Sequence, residues 1–167
     1  MARNSSGLQL EENLAFERRE ALVERVAWPV IAAVLVAAVA GVFGAGPVSR
    51  TTTENRDGTV SVTYQRFARQ VADTQLQVRV APGAVREGTV TVFISAGWIA
   101  NVDLRQVIPS PDKATRTDDG VYYEFSGRPQ APVVVSFGYR PNGAGLQSAT
   151  VHAGNTGGAE LWQLIYP

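Results

Sequence analysis

The sequence contains no cysteine and a single histidine, His152. The lack of cysteine excludes disulfides, thiol catalysis and cysteine-ligated metal sites in this chain. A zinc site would need carboxylates for nearly all of its ligands, and carboxylates suit zinc poorly. With 15 basic and 15 acidic residues the chain has no net charge, so it also lacks the basic excess of nucleic-acid-binding proteins. We therefore expect no metal, no cofactor and no nucleic-acid partner.

Catalytic motifs are missing as well. His152 stands near the end of a predicted strand, and a triad with Ser136 or Ser148 would lack the nucleophile-elbow motif. A lone histidine at a strand end is usually structural. The segment Asp118-Asp119-Gly120 is typical of a tight turn and lacks the spaced acidic residues of a calcium-binding loop. The sequence thus predicts a protein without catalytic residues, which is not an enzyme.

One long stretch lacks charge altogether. Val26–Val48 comprises 23 uncharged residues, and about 20 apolar residues suffice to cross the roughly 30 Å hydrocarbon core of a bilayer. We predict a transmembrane helix over 26–48. The alternatives are a buried core helix, which is rarely apolar on all faces for this length, and a cleaved signal peptide. Residues 2–25 carry five glutamates beside four arginines, unlike a short basic leader, so we expect an uncleaved signal anchor.

The segment before this run, residues 1–25, is expected to be cytoplasmic and mostly helical, because Leu8–Trp28 contains neither glycine nor proline. It is interpreted either as a docking helix for a partner or as an extension of the spanning helix. Arginines flank both ends of the uncharged run, so their count does not fix the orientation. A long folded domain crosses the membrane largely regardless of its charge, which favours a cytoplasmic N-terminus and an extracytoplasmic C-terminal domain.

After a predicted linker at 49–58, apolar and polar residues alternate with period two over 59–167, as in half-buried strands. Eight strands are predicted, at 60–65, 75–80, 89–94, 98–108, 121–125, 133–139, 146–152 and 161–166. Their number and the turns between them indicate a mainly β domain, an antiparallel two-sheet β-sandwich of immunoglobulin-like architecture. A small closed barrel is the alternative. The predicted core consists of Val60, Tyr64, Val78, Val92, Trp98, Tyr123, Phe125, Val135, Phe137, Trp162 and Ile165.

Two sets of residues are candidates for contacts. Small residues recur every four positions in the uncharged run, a spacing that lets another helix approach closely; they are Ala33, Ala37, Gly41 and Ala45. Chance is a competing explanation, since alanine is abundant in this run. Arg66, Phe67 and Arg69 follow soon after the anchor, where they would meet lipid headgroups or a membrane partner. The alternative for these three is a strand end with solvated arginines.

Three segments carry a resemblance to known proteins. Trp28–Ser49, which ends in the pattern G-x-F-G-x-G-P-x-S, together with Tyr64–Arg69 and Ile165–Pro167, resembles a group of small uncharacterised bacterial proteins with one membrane span. The resemblance covers most of the chain and implies a place in the bacterial cytoplasmic membrane. The group has no assigned activity, so it supplies no catalytic residues. Its members often accompany multi-pass membrane proteins, which implies an accessory role.

These observations together predict a non-enzymatic, membrane-anchored accessory or interaction protein that presents a β-sandwich outside the cytoplasmic membrane. Its expected partners are membrane lipid and either a membrane protein or a second copy, bound through the helix. The alternative function is a membrane-anchored small-ligand binding or sensor module. In that case the ligand would lie in a pocket at the loop end of the sandwich, against aromatic side chains such as Trp98, Tyr122 and Tyr139.

Overall fold

The computed structural model describes residues 14–39 and 49–167, which belong to two separate compact units. The first unit contains one helix, α1 (Leu14–Val39), with Pro29 inside it. This helix joins the second half of the expected cytoplasmic segment to the first half of the expected span. The large apolar side chains described on α1 are exposed: Val26, Trp28, Val30, Ile31, Val34, Leu35, Val36 and Val39.

Among the described residues, no helix combines the length and the apolar character that a membrane crossing requires. Residues 1–13 of the expected cytoplasmic segment and residues 40–48 of the expected span lie outside the described residues.

The second unit is built almost entirely from strands. Residues 49–167 contain β1 (Arg50–Glu54), β2 (Val60–Gln65), β3 (Phe67–Arg69), β4 (Thr74–Val80), β5 (Thr89–Ser95), β6 (Val102–Ile108), β7 (Lys113–Arg116), β8 (Gly120–Ser126), β9 (Val133–Pro141), β10 (Gly145–Ala153) and β11 (Ala159–Tyr166). A short helix, α2 (Ala96–Ile99), lies between β5 and β6, and a single 3₁₀ turn covers Pro82–Ala84. Burial alternates along most strands, as along β4, where every second residue is buried.

The strands form two sheets. Sheet A has the order β1-β2-β4-β9-β6, and sheet B has the order β3-β11-β10-β5-β8-β7. Inward side chains of both sheets make one core, which identifies a β-sandwich rather than a closed barrel. Neighbouring strands are antiparallel except β3 and β11, which pair in parallel with Phe67 opposite Leu164. The expectation of wholly antiparallel sheets is therefore wrong at this edge, because the chain passes from β2 in sheet A to β3 in sheet B without reversing.

The predicted core is confirmed at ten of its eleven positions, all of which are buried. The exception is Trp162, whose side chain is 44% exposed. Along β11 the inward positions belong to Leu161, Gln163 and Ile165, so Trp162 points to the opposite, outer face of sheet B. Gln163 is fully buried in its place.

The observed elements differ from the sequence prediction at several places. The expected linker 49–58 contains β1, an edge strand of sheet A whose Arg-Thr-Thr-Thr-Glu sequence has no apolar alternation to reveal it. Trp98 lies in α2 rather than at the start of a strand, and β6 begins only at Val102. The edge strands β3 and β7 are also absent from the prediction, because β3 has only three residues and β7, with the sequence Lys-Ala-Thr-Arg, has no apolar alternation.

Candidate functional site

The chain enters the sandwich at Ser49, which is fully buried. The Ser49 carbonyl accepts a hydrogen bond of 2.7 Å from the Arg66 amide, and its hydroxyl donates to the Phe67 carbonyl at 3.1 Å. The Arg66 carbonyl in turn accepts from the Leu164 amide at 2.7 Å. The point of entry is thus fixed to the start of β3 and to β11.

Several loops meet at the same end of the sandwich. The Gln70 amide donates to the Tyr166 carbonyl at 2.8 Å, the Val71 amide to the Pro141 carbonyl at 2.9 Å, and the Asn142 amide to the Asn101 carbonyl at 2.9 Å. We call this end, made of Ser49, residues 66–73, 96–101 and 141–145 and the end of β11, the entry end. Two of the predicted contact residues, Arg66 and Phe67, therefore lie directly beside the place where the chain leaves the uncharged run.

Exposed apolar side chains lie on the outer face of sheet B next to this end. Leu146 and Leu164 face each other across β10 and β11 and are 71% and 41% exposed. Phe67 pairs with Leu164 from the other side, and Trp162 stands two residues further along β11. We call Phe67, Leu146, Trp162 and Leu164 the apolar strip. It joins Phe67, a predicted contact residue, to Trp162, which the sequence places in the core, and to Leu146 and Leu164, which the sequence does not single out.

Within residues 49–167, the arginines beside the strip have no acidic partner. The Arg66 guanidinium lies over the Trp162 ring, 5.4 Å from its centroid, in a cation–π contact. Arg69 is exposed and pairs in register with Tyr166. Within residues 49–167, ion pairs form at Arg105, Lys113 and Arg140, and none forms at Arg50, Arg66 or Arg69. The entry end is therefore basic.

Arg140, unlike Arg66 and Arg69, forms an ion pair, with Asp73. Its guanidinium donates two hydrogen bonds to the Asp73 carboxylate, at 2.6 and 3.0 Å. This pair lowers the pKa of Asp73 and raises that of Arg140, chiefly through the hydrogen bonds between them. Both groups are exposed, so the pair adds little to stability. The pair neutralises one acidic charge at the entry end that would otherwise offset the charge of Arg66 and Arg69.

The helix stripe falls only partly within the described residues. Ala33 is exposed on α1, and Ala37 belongs to the same helix, where its side chain is not described. Gly41 and Ala45 lie outside the described residues. The predicted helix contact through these four residues stays a prediction.

His152 takes part in an aromatic cluster on the outer face of sheet B. Its ring stacks on Phe93 with centroids 4.4 Å apart, and Tyr122 approaches edge-on at 6.3 Å. Its Nδ1 lies 3.1 Å from the Gly154 carbonyl. None of these described contacts is with a serine hydroxyl or a carboxylate, so the considered triad is not assembled.

The tight turn predicted at Asp118–Gly120 is present, and it connects β8 to β7, a strand that the sequence did not predict. The Thr117 amide donates to the Gly120 carbonyl at 2.8 Å, and the backbone carbonyl of Asp119 accepts from the Ala96 amide at 2.7 Å. A Cβ atom at Gly120 would overlap the Ile94 carbonyl oxygen and the Phe93 ring, which explains the glycine. In the part of the chain that the structure describes, no group of three or more histidine or acidic side chains is placed to hold a metal ion.

The aromatic residues considered for a ligand pocket are not brought together. Trp98 and Tyr139 pack edge to face in the core with centroids 4.7 Å apart, whereas Tyr122 belongs to the cluster around His152. A groove of about 390 Å³ lies elsewhere and is lined by polar side chains of β2 and β4 with Arg50 and Asp73. Its open, polar walls differ from the enclosed apolar pockets that usually bind small molecules.

Buried polar groups occur near the entry end. The Tyr139 hydroxyl donates to Gln163 Oε1 at 3.0 Å, and Gln163 Nε2 donates to the Gln65 carbonyl at 2.6 Å, so the two sheets are joined through their core. Burial raises the pKa of Tyr139, and the hydrogen bond to Gln163 opposes that rise only in part. Gln147 Oε1 and Trp98 Nε1 are buried without a partner within the described residues.

Comparison with known proteins adds no family. No protein-family model matches the chain, and no curated protein sequence matches it. Among solved structures, the chain is similar to a chain of a type I cohesin–dockerin complex from Clostridium thermocellum. The identity is 9%, the match covers 60% of this chain and 83% of that chain, and the TM-score is 0.37. A likeness of this size carries no argument about function.

Proposed function

We propose that this protein is a non-enzymatic accessory or interaction protein of the bacterial cytoplasmic membrane. The uncharged run 26–48 serves as its uncleaved anchor, and its N-terminus lies in the cytoplasm. The β-sandwich, immunoglobulin-like in architecture, stands outside and meets membrane lipid and a membrane partner. The observation that carries this proposal is the exposure of the apolar side chains of α1.

Exposed apolar side chains on a helix are typically buried against a protein or a membrane. Those of α1 extend from Val26 to Val39, and the sequence continues without charge to Val48. A contiguous apolar surface of this kind marks a site of contact with protein or membrane. The complete run has the length that a bilayer core requires, whereas a soluble partner would require an apolar groove as long as the run.

The entry end provides the second support. Because Ser49 directly follows the run and is bonded to Arg66 and Phe67, a membrane that held the run would lie next to basic and aromatic residues of the sandwich. Arginine and tryptophan are typical of the layer between water and hydrocarbon. The residues next to Ser49 are thus of the types found in the interfacial layer, as expected if the uncharged run lies in the bilayer.

Extraction of cell membranes with alkaline carbonate tests the anchor. The native chain should stay in the membrane pellet, and Val34→Arg/Leu35→Arg should move to the soluble fraction. Each arginine costs about 3 kcal/mol at the centre of a span. Two arginines together therefore offset the favourable free energy of inserting the uncharged run into the membrane. Ile108→Arg/Val134→Arg adds the same charge at two exposed apolar sites of the sandwich and should stay in the pellet. Release of the native chain by carbonate would refute the anchor.

Orientation and processing are measured on the same membranes. A reporter fused after Pro167 should be active outside the cytoplasm only. Mass spectrometry of the extracted protein should recover the segment before Ser49. A mature protein that begins near Ala45 or Pro47 would instead identify a cleaved leader, and a reporter active only in the cytoplasm would reverse the orientation.

A further inference from the structure

We propose that the apolar strip and its arginines bind the anionic headgroup layer of the membrane, so that the sandwich lies against the bilayer on the β3–β11–β10 face. The strip is Phe67, Leu146, Trp162 and Leu164, and the cations are Arg66 and Arg69. This inference rests on the proposed anchor. It adds which face of the domain meets lipid and which residues make the contact.

The distribution of exposed apolar side chains selects this face. Leu146, Trp162 and Leu164 are exposed and lie on adjacent strands of sheet B. Phe67, which is half-buried, extends the strip to the edge strand β3. Val71, which is 63% exposed, projects from the neighbouring loop of the entry end. The strip is therefore contiguous over three strands, as expected of a contact surface rather than of scattered exposed residues.

The charges select the occupant. Arg66 and Arg69 form no ion pair within residues 49–167, and Arg66 is held over the Trp162 ring. An arginine on an aromatic face can bind a phosphate with its fork of N–H groups while the ring lies among the upper acyl carbons. Basic clusters beside a membrane span are attracted to anionic lipid.

Chain connectivity supplies the third argument. Ser49 is bonded to Arg66 and Phe67 and follows the uncharged run directly in the sequence. With the run in the bilayer, the strip is attached close to the lipid surface at a high effective concentration, so even weak contacts suffice to hold it there. A soluble partner protein would compete with a surface that is always present.

Quenching by brominated lipid tests the contact in the full-length chain. The chain has three tryptophans, and replacing Trp28 by Phe leaves the buried Trp98 and the exposed Trp162. The Trp28→Phe variant is placed in vesicles of phosphatidylcholine with phosphatidylglycerol, both brominated on the acyl chains. Bromine should quench about half of the Trp162 fluorescence of this variant. Trp28→Phe/Trp162→Phe should lose little, because Trp98 is shielded in the core.

The arginines are tested in the same vesicles. Arg66→Gln/Arg69→Gln on the Trp28→Phe background should reduce the quenching of Trp162 by about twofold or more. Arg79→Gln/Arg116→Gln removes the same charge from two exposed positions outside the strip and should leave the quenching unchanged. In vesicles of brominated phosphatidylcholine alone, the quenching of Trp162 should be as low as in Arg66→Gln/Arg69→Gln for the Trp28→Phe background and for both of its double-arginine variants.

Each other outcome overturns the inference. Equal quenching of the two arginine variants would exclude headgroup recognition. No quenching of Trp162 would exclude lipid contact, and a concentration-dependent shift of its emission in detergent would show that a second copy covers the strip. Carbonate extraction of the same preparations separates the two proposals, because a chain that resists carbonate without Trp162 quenching keeps the anchor and loses only this contact.

Discussion

At the scale of the residue, Val71 has an unusual backbone. Its φ is +62°, in the left-handed region that β-branched residues rarely adopt, and its side chain is exposed at the entry end. The hydrogen bond from its amide to the Pro141 carbonyl holds it there. Such strain typically costs on the order of 1–3 kcal/mol and is often associated with functional positions. Glycine or asparagine would be the expected residue on structural grounds alone.

Replacing Val71 by Gly should therefore stabilise the sandwich. The strain is relieved, and after the larger entropy of the unfolded glycine chain is subtracted, we expect a gain of about 1 kcal/mol. Denaturant unfolding of the full chain measures it. Val71→Ala is the matched control, since it removes the exposed side chain and keeps most of the left-handed penalty. A Val71→Gly protein no more stable than Val71→Ala would contradict the strain.

Gly120 is a glycine because the Ile94 carbonyl and the Phe93 ring lie too close to it to leave room for a side chain. Gly120→Ala should destabilise the sandwich by about 2 kcal/mol, because the new methyl group overlaps the Ile94 carbonyl and the Phe93 ring. The denaturation midpoint of the full chain gives the value. Gly157→Ala, where a Cβ would meet open space, should change stability by much less. Equal effects of the two substitutions would show that packing at Gly120 is not tight.

At the scale of the element, α1 and β11 show what a periodic pattern does and does not specify. Both have apolar residues on more than one face, so amphipathicity does not say which face is covered. In β11 the packing of sheet B decides, by placing Gln163 inside and Trp162 outside. In α1 the large apolar side chains that the structure describes are exposed.

For the helix, the prediction concerns the small-residue stripe. Gly41→Leu or Ala37→Leu should abolish association with a partner helix while membrane localisation persists. Lipid tails are as apolar as leucine, so association depends on close backbone approach over small residues, which a leucine blocks. Crosslinking in membranes, followed by identification of the crosslinked chains, measures the loss. Val36→Leu is the control on another face, and retention of every partner by Gly41→Leu would show that the stripe only faces lipid.

At the scale of the whole molecule, the core contains a titratable group that links the two sheets. Tyr139 donates to Gln163, and burial raises its pKa above the ordinary value of 10.0; burial also raises the pKa of Tyr123. Above pH 10 the folded protein therefore holds protons that the unfolded chain releases. Stability from this source is fully present below about pH 10 and falls as the pH rises further.

Alkaline unfolding measures this linkage. The native chain should lose stability as the pH rises above about 10, whereas Tyr139→Phe should show a shallower loss because one buried hydroxyl no longer ionises on unfolding. At pH 7 the variant should be less stable by about 1 kcal/mol, since Gln163 Oε1 loses its donor. Parallel pH profiles for the two proteins would exclude Tyr139 as a source of the alkaline loss.

The candidate site was only partly accessible from the sequence. The sequence predicts a contact at Arg66, Phe67 and Arg69, because two arginines stand beside aromatics soon after the uncharged run, and these residues lie at the entry end. The sequence places Trp162 in the core, because Leu-Trp-Gln-Leu-Ile has apolar residues on both faces of a strand. The burial of Gln163 reverses that choice, and it depends on Tyr139 and Gln65, which are distant in the chain.

The sequence by itself determined the mainly β class, the strands with period-two alternation and ten of the buried core residues, because alternation is a property of each strand and its own side chains. The tertiary structure alone decided which strands are neighbours, that β3 pairs in parallel with β11, and that β1 and β7 exist as edges. It also decided that Trp162 and Leu164 lie outside, next to Arg66. These features follow from contacts between residues far apart in the chain, which no local pattern records.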